Sequence, residues 1–415
     1  MEQFGDGGPA EPAPVQVDPV GNEEHYWVAE SDGMASRAEL RAGSGSYTST
    51  IPPLIADYEP QIPSDLAADL DEASNALAAF DVYTRAVLGA QSTTLGPMSA
   101  VLLRTESASS SQIENLTVGA RQLALAELDQ SGSQNATVVL GNVRAMEAAL
   151  DLADRLDEGA VLSMHEVLLA SQPGWMDQAG TCRAGLVWVG SSRVSPRGAS
   201  HVGPQAELVP ELMRDLMAFV RRDDVPVLTQ AAIAHAQFET IHPFADGNGR
   251  TGRALVHAIL RGKNLLSHTT APVSAGLLRE TNAYFEALGA YRAGNARPIL
   301  ERFASAARFA ASSGSGLVND LAAALEDARE KLAGLRSQAT AWKVLPHLVA
   351  HPVINAKYLT TNLGLNDVTA QRALTQLTER GVLEELTGRQ RNRVWQHAGI
   401  LNILDAYAQE LHRGL

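Results

Sequence analysis

"ETIHPFADGNGRTGRALVHAIL", residues 239–260, decides how this chain is read. Gly247, Gly249 and Gly252 fall at the G-x-G-x-x-G spacing of a dinucleotide-binding loop. That reading requires a strand before the loop and an acidic residue roughly twenty positions beyond it. Here the preceding "AAIAHAQFETI" is Ala-rich and helical in period, and "SHTTAP" at 267–272 carries no carboxylate. The context fits a helix–loop–helix instead.

Such a loop has a different use. Gly247 and Gly249 are expected to let the backbone take positive φ, so that successive N–H groups converge into an anion-binding nest at a helix start. Arg250 and Arg253 are three apart and share one face of the first turn. Both oppose the helix dipole at a cost of about 0.3–1 kcal/mol each, which a bound polyphosphate would reverse. Asp246 would repel that phosphate unless a hard cation such as Mg²⁺ lay between them. His242, just before the loop, suits proton transfer near neutral pH. His235, Glu239 and His242 also suggest a metal trio on one helix face. That reading is set aside, because His235 and Glu239 are expected to pack or cap in so apolar a helix.

"HPFADGNGRTGR", residues 242–253, resembles the Fic-domain signature HxFx(D/E)GNGRxxR at every fixed position. The resemblance extends over about residues 47–415. It implies a mainly α Fic fold and a protein adenylyltransferase that moves AMP from ATP to a Ser, Thr or Tyr hydroxyl. By it His242 is the general base, Phe244 anchors the loop and Asp246 binds Mg²⁺. Gly247, Asn248, Gly249 and Arg250 hold the α- and β-phosphates, Arg253 holds the γ-phosphate, and Thr251 and Gly252 complete the ATP contacts. Tyr284 matches an aromatic position near the adenine.

"RTESASSSQIENL", residues 104–116, has a plain reading: Ser111-x-x-Glu114 is a capping box opening the next helix. It also resembles the Fic inhibitory motif (S/T)xxxE(G/N), as Ser110, Glu114 and Asn115. The resemblance implies that Glu114 pairs with Arg253 and displaces the γ-phosphate. "LVWVGSSRVSP", residues 186–196, lies in a β-hairpin expected between 180 and 203. It resembles the Fic flap, in which Val187 and Trp188 would pair with a target strand and Val189 and Gly190 would border the nucleotide. At its exit, "HVGP" (201–204) stands where many relatives have "FVPP".

Other helices are expected at 64–88, 114–128, 134–156, 160–169, 205–221, 228–241, 250–264 and 277–311. "SSGSG" at 312–316 reads as a break before a helix at 318–337. At 354–397 a helix–turn–helix followed by "VLEELTGRQRNRVWQ" reads as a winged helix with its wing turn at Thr387-Gly388. Six cations there are opposed by four carboxylates, a net charge of only +2, so partner docking or dimerisation is favoured over DNA binding. The domain reading is a disordered segment at 1–46, a helical region with the inhibitory motif at 47–130, a catalytic core at 131–311, a linker helix at 312–340 and the winged helix at 341–415.

Composition sets the frame. The length of 415 residues suits two or three domains, with 45% hydrophobic and 19% charged residues. A net charge of −14 argues against bulk nucleic-acid binding. Four lysines stand against 29 arginines, so an arginine argues only through its position. One cysteine, no signal-like start and no long apolar run lead to the expectation of a cytoplasmic protein without membrane contact. The expected substrates are Mg²⁺-ATP and a protein hydroxyl, including the chain's own. Two alternatives stand beside this reading: removal of AMP at the same site, and a nucleotide-sensing winged-helix regulator.

Overall fold

Every residue from Leu228 to Ile241 is buried. An Ala-rich helix permits this, because small side chains let neighbouring helices approach from all sides. The computed structural model describes residues 12–30, 34–88, 93–170, 172–190, 192–386 and 392–413. In order the elements are β1 (Gly21–Trp27), α1 (Arg37–Gly43), β2 (Gly45–Ile51), α2 (Ser64–Leu88), α3 (Leu95–Ile113), α4 (Ala120–Glu127), α5 (Gln134–Asp151) and α6 (Glu158–Leu169). Next come β3 (Trp188–Val189), β4 (His201–Val202), α7 (Val209–Val220), α8 (Val227–Ile241), α9 (Asn248–Gly262), α10 (Val273–Leu278), α11 (Thr281–Arg292) and α12 (Arg297–Lys331). The C-terminal part holds α13 (Ala341–Val344), β5 (Val353–Ile354), α14 (Ala356–Leu363), α15 (Asp367–Glu379), β6 (Glu384–Glu385), β7 (Trp395–Gln396) and α16 (Ala398–Arg413). The chain is mainly helical, as expected.

α8 and α9 pack together at the centre, with α7, α11 and α12 against α8 and with α3, α5 and α6 against α9. α12 is 35 residues long and runs without interruption through 312–316, where a break and a separate linker were expected. The reason is close packing. A Cβ on Gly314 would stand 2.9 Å from Cε2 of Phe80 on α2. Local propensity reads "SSGSG" as a turn, whereas the fold uses its small residues to seat an aromatic ring.

Three further expectations change. The segment 1–46 was read as disordered, yet its described residues are ordered; residues 1–11 and 31–33 lie outside the described part. Val15 and Val17 are buried, and the Ala296 and Val17 N–H groups donate to the Val15 and Gly294 carbonyls at 2.8 and 3.1 Å. β1 and β2 pair antiparallel, from Gly21 opposite Ile51 to Trp27 opposite Gly45. These contacts join residues far apart in sequence, which a composition reading does not register. Second, no capping box forms at Ser111. That residue lies inside α3, its hydroxyl donating to the Ser107 carbonyl at 2.9 Å, and α3 ends at Glu114. Third, the return strand of the flap is His201–Val202, paired with Trp188–Val189, beyond the 186–196 stretch.

In the C-terminal part, β5, β7 and β6 form one sheet in that order. Asn355 and Asn366 cap α14 and α15, accepting from the Tyr358 and Thr369 N–H groups at 2.7 and 2.9 Å. The expected wing turn, Thr387-Gly388, with Arg389 and Arg391, lies outside the described residues. Asp405 of α16 accepts from the Ala120 N–H that starts α4, at 2.9 Å.

Trp27 ties the N-terminal hairpin to the flap. Its indole N–H donates to the Val194 carbonyl at 2.7 Å, and its ring meets Trp188 edge-on with centroids 5.4 Å apart. Losing both contacts in Trp27→Ala is expected to cost about 1–3 kcal/mol, measured by denaturant unfolding. Amide exchange should quicken in the flap, and unchanged flap exchange would show that Trp27 does not hold it.

Candidate active site

α8 ends where His242 takes the left-handed region, at φ 50°, its N–H still donating to the Phe238 carbonyl at 2.9 Å. The chain then turns around Phe244, which is fully buried and stacked on His165 with centroids 3.7 Å apart. The Asn248 side chain braces this turn: its Oδ1 accepts from the Phe244 N–H and its Nδ2 donates to the Phe244 carbonyl, both at 2.8 Å. The Asn248 side chain is thus engaged in bracing the turn.

The two glycines differ in purpose, which corrects the expectation of positive φ at both. Gly247 caps α9 at φ 78°. Gly249 lies in the first helical turn, and what it supplies is room: a Cβ there would stand 2.5 Å from Glu114 Oε1. Thr251 and Gly252 are buried, and a Cβ on Gly252 would press on the Phe238 ring at 2.9 Å. Gly252 belongs to the packing of α9 on α8.

Arg250 and Arg253 are both buried, and one carboxylate spans them. Arg250 Nε donates to Glu114 Oε2 at 3.0 Å, and Arg253 Nη2 donates to Glu114 Oε1 at 2.7 Å. Arg253 also donates from Nε to the Ser110 hydroxyl at 2.8 Å and from Nη2 to the Ser110 carbonyl at 2.9 Å. Burial works to lower the Arg253 pKa, but Glu114 beside it holds the guanidinium above its ordinary value. Glu114 reaches the nest because α3 stops there. Asn115 adopts φ 63° and the Leu116 N–H returns to the Ser111 carbonyl at 3.1 Å, the left-handed helix end that Gly or Asn tolerates.

Asp246 Oδ2 accepts from Arg250 Nη2 at 3.0 Å and from Gln172 Nε2 at 3.1 Å. Its carbonyl faces His165 Nε2 at 3.0 Å, while His165 Nδ1 faces the Gly180 N–H at 3.1 Å. Since Gly180 must donate, Nδ1 is the acceptor and Nε2 carries the hydrogen of a neutral ring. Burial agrees, lowering the His165 pKa to about 4. Burial also lowers His242 to about 4, so its imidazole is uncharged at neutral pH.

Tyr284 is buried, with its hydroxyl 2.8 Å from His235 Nε2. The ring next to it, Phe285, is the one that faces solvent. In the flap, the Val187 and Val189 carbonyls accept from Gly203 and Ser200 N–H groups at 3.0 and 2.8 Å. Val189 and Gly190 are exposed, while Trp188 is half-buried against Trp27. Sequence reading missed Arg183, which is buried beneath the flap. Its guanidinium donates to the His242, Gly185 and Pro204 carbonyls at 2.8, 2.8 and 2.7 Å. It missed His165 and Gln172 as well, since nothing local marks a side chain that acts on a loop some eighty residues away.

Residues 155–260 match the Fic/DOC family and residues 67–151 match the Fic/DOC family N-terminal region. A probable protein adenylyltransferase of Aquifex aeolicus is 42% identical over 71 residues, 17% of this chain and 22% of that protein. Protein adenylyltransferase fic-1 of Caenorhabditis elegans is 30% identical over 151 residues, 35% of this chain and 26% of that protein. The chain thus spans about a quarter of the length of these curated relatives. A Fic family protein structure from Desulfovibrio desulfuricans aligns with a TM-score of 0.49 and 24% identity, covering 81% of this chain and 97% of that one.

Proposed function

We propose that in this chain, whose residues 67–151 and 155–260 match the N-terminal region and the domain of the Fic/DOC family, the 242–253 loop transfers AMP from ATP to a hydroxyl of a protein Ser, Thr or Tyr, under a brake supplied in cis by Glu114. The observation that carries this reading is the nest itself. An uncharged histidine stands beside a helix N-terminus with two buried arginines, and these already grip one carboxylate. An anion site of this strength suits a polyphosphate.

In this reading His242 takes the proton of the attacking hydroxyl. Backbone N–H groups at Gly247, Asn248 and Gly249, with Arg250, hold the α- and β-phosphates, and Arg253 takes the γ-phosphate once Glu114 has left. The new bond is from the hydroxyl oxygen to the α-phosphorus, and pyrophosphate leaves with the electron pair. Asp246 is a single hard ligand, and among the described residues no group of three or more His, Cys, Asp or Glu surrounds it. A Mg²⁺ there would be held by Asp246 and the nucleotide's own oxygens, and would supply charge neutralisation. Tyr284, buried and bonded to His235, would act on the adenine region only as packing behind it.

We assign the C-terminal part to a winged helix used for protein docking. The exposed face of α15, with Asp367, Val368, Gln371, Arg372 and Glu379, mixes charges and shows Val368 70% exposed, a poor match to a phosphate backbone. A cytoplasmic site of action fits the single cysteine, and among the described residues no helix is long and apolar enough to cross a membrane.

ATP labelled at the α-phosphorus or at the γ-phosphorus tests the reading. With Glu114→Gly, the protein fraction should retain the α-label and never the γ-label. Retained γ-label would mean phosphoryl transfer instead, and label on the chain itself would report self-modification.

A further inference from the structure

Behind His242 lies a buried group to which the reading above gives no task. Glu239 sits one turn earlier on α8, almost fully buried. Its backbone carbonyl is 3.4 Å from His242 Nδ1 and its carboxylate Oε2 is 3.7 Å from the same nitrogen. Its other oxygen, Oε1, is buried without a hydrogen-bond partner among the described residues. Burying a carboxyl without full pairing is costly, so packing alone is a weak account of a glutamate here.

The geometry points to the tautomer of the base. Nδ1 faces two oxygens of one residue, and a ring nitrogen that faces acceptors is the one that carries hydrogen. We propose that Glu239 is a positioning residue for His242: its backbone carbonyl takes the Nδ1–H and so leaves the Nε2 lone pair free for the target hydroxyl, while its carboxylate, 3.7 Å from the same nitrogen, favours that orientation and stabilises the imidazolium formed on proton transfer. The inference rests on the AMP-transfer reading and deepens it. When Nε2 takes the proton, the oxygen it came from bonds to the α-phosphorus, pyrophosphate departs, and the positive ring is left beside a carboxylate. A carboxylate behind a catalytic imidazole serves the same purpose in hydrolases.

The groups facing this carboxyl set its behaviour. Arg253 of α9 and Arg292 of α11 favour the anion, the latter donating from Nη2 to the Glu239 carbonyl at 3.3 Å. Glu114, at the end of α3, opposes it. His242 itself is flanked by His201, ring centroids 6.1 Å apart, by Arg183 and by Asp246. Burial outweighs the arginines and raises the Glu239 pKa to about 7. Below that pH the carboxyl is neutral and no longer stabilises the imidazolium that proton transfer forms, although His242 itself stays neutral down to about 4. Activity should therefore rise as pH rises through the Glu239 pKa.

The test compares Glu114→Gly with Glu114→Gly/Glu239→Gln, using Mg²⁺-ATP and following label from the α-phosphorus between pH 5 and pH 9. The expected result for the double variant is a rate about 100-fold lower, an unchanged KM for ATP, and no acid limb near neutrality. A double variant that keeps both the rate and the limb overturns the inference while leaving AMP transfer standing. A fall in rate matched by an equal rise in KM for ATP also overturns it, since that marks a packing role. No transfer by Glu114→Gly at any pH overturns the functional reading and this inference with it. Imidazole ¹⁵N shifts of the wild-type chain at pH 8 give a check that needs no variant. Hydrogen on Nδ1 of His242 is expected, and hydrogen on Nε2 would overturn the assignment.

Discussion

Glu114→Gly is expected to raise the rate of AMP transfer about 10- to 100-fold, from a brake whose two charge-assisted contacts are worth about 1.5–3 kcal/mol each. The carboxylate holds Arg250 Nε at 3.0 Å and Arg253 Nη2 at 2.7 Å, with one oxygen on each. In the proposed reading a γ-phosphate needs the same Arg253 donor, so carboxylate and phosphate would compete for one position. Part of the released energy is lost to desolvation of the incoming phosphate, which places the expected gain below the sum of the two contacts. Glu114 is 30% exposed, so the pair opens toward solvent and need not be dragged from a sealed core.

The same change carries a stability signature of opposite sign. Without Glu114 the buried Arg253 loses its carboxylate partner and Arg250 keeps only Asp246, so Glu114→Gly without nucleotide should melt below the wild-type chain. ATP should then raise the melting temperature of the variant more than that of the wild type, because only in the variant is the Arg253 donor that Glu114 occupied open to a phosphate. An unchanged transfer rate in Glu114→Gly, with ATP stabilising both chains equally, would remove the brake from the account.

What the sequence revealed here, and what it hid, follows from how far apart the cooperating residues lie. His242, Asp246, Gly247, Arg250 and Arg253 fall within twelve positions, so one loop and one helix start carry most of the anion chemistry and can be read from local spacing. Arg253 and Ser110 are 143 positions apart; only the motif resemblance joined them, and the expected pairing of Glu114 with Arg253 proved to include Arg250. The side chains that aim the loop were hidden. Arg183 and His165 resemble ordinary polar residues until α6 and the flap bring them against it. Gly314 and Trp27 were misread for a related reason. Local propensity calls "SSGSG" a break and calls 1–46 disordered, whereas Phe80 and Trp188 supply tertiary partners that no window of sequence contains.

His242→Ala, made in the Glu114→Gly background, is expected to lower AMP transfer by about 10²–10⁴-fold, the usual worth of a positioned general base. Burial lowers the His242 pKa to about 4, so at neutral pH the ring is already in the form that accepts a proton, and its removal cannot be offset by changing pH. ATP binding should survive, because the nest N–H groups and both arginines belong to other residues. The fold is the point to guard. His242 caps α8 at φ 50°, a conformation that alanine adopts at a cost of roughly 1–2 kcal/mol and asparagine takes more readily. His242→Asn therefore serves as the second variant: it keeps the cap and removes the base. Loss of transfer in both, with ATP affinity retained, places the base at His242. Retained transfer in the asparagine variant would mean that the hydroxyl attacks without a base at this position, and the role assigned to His242 would fall.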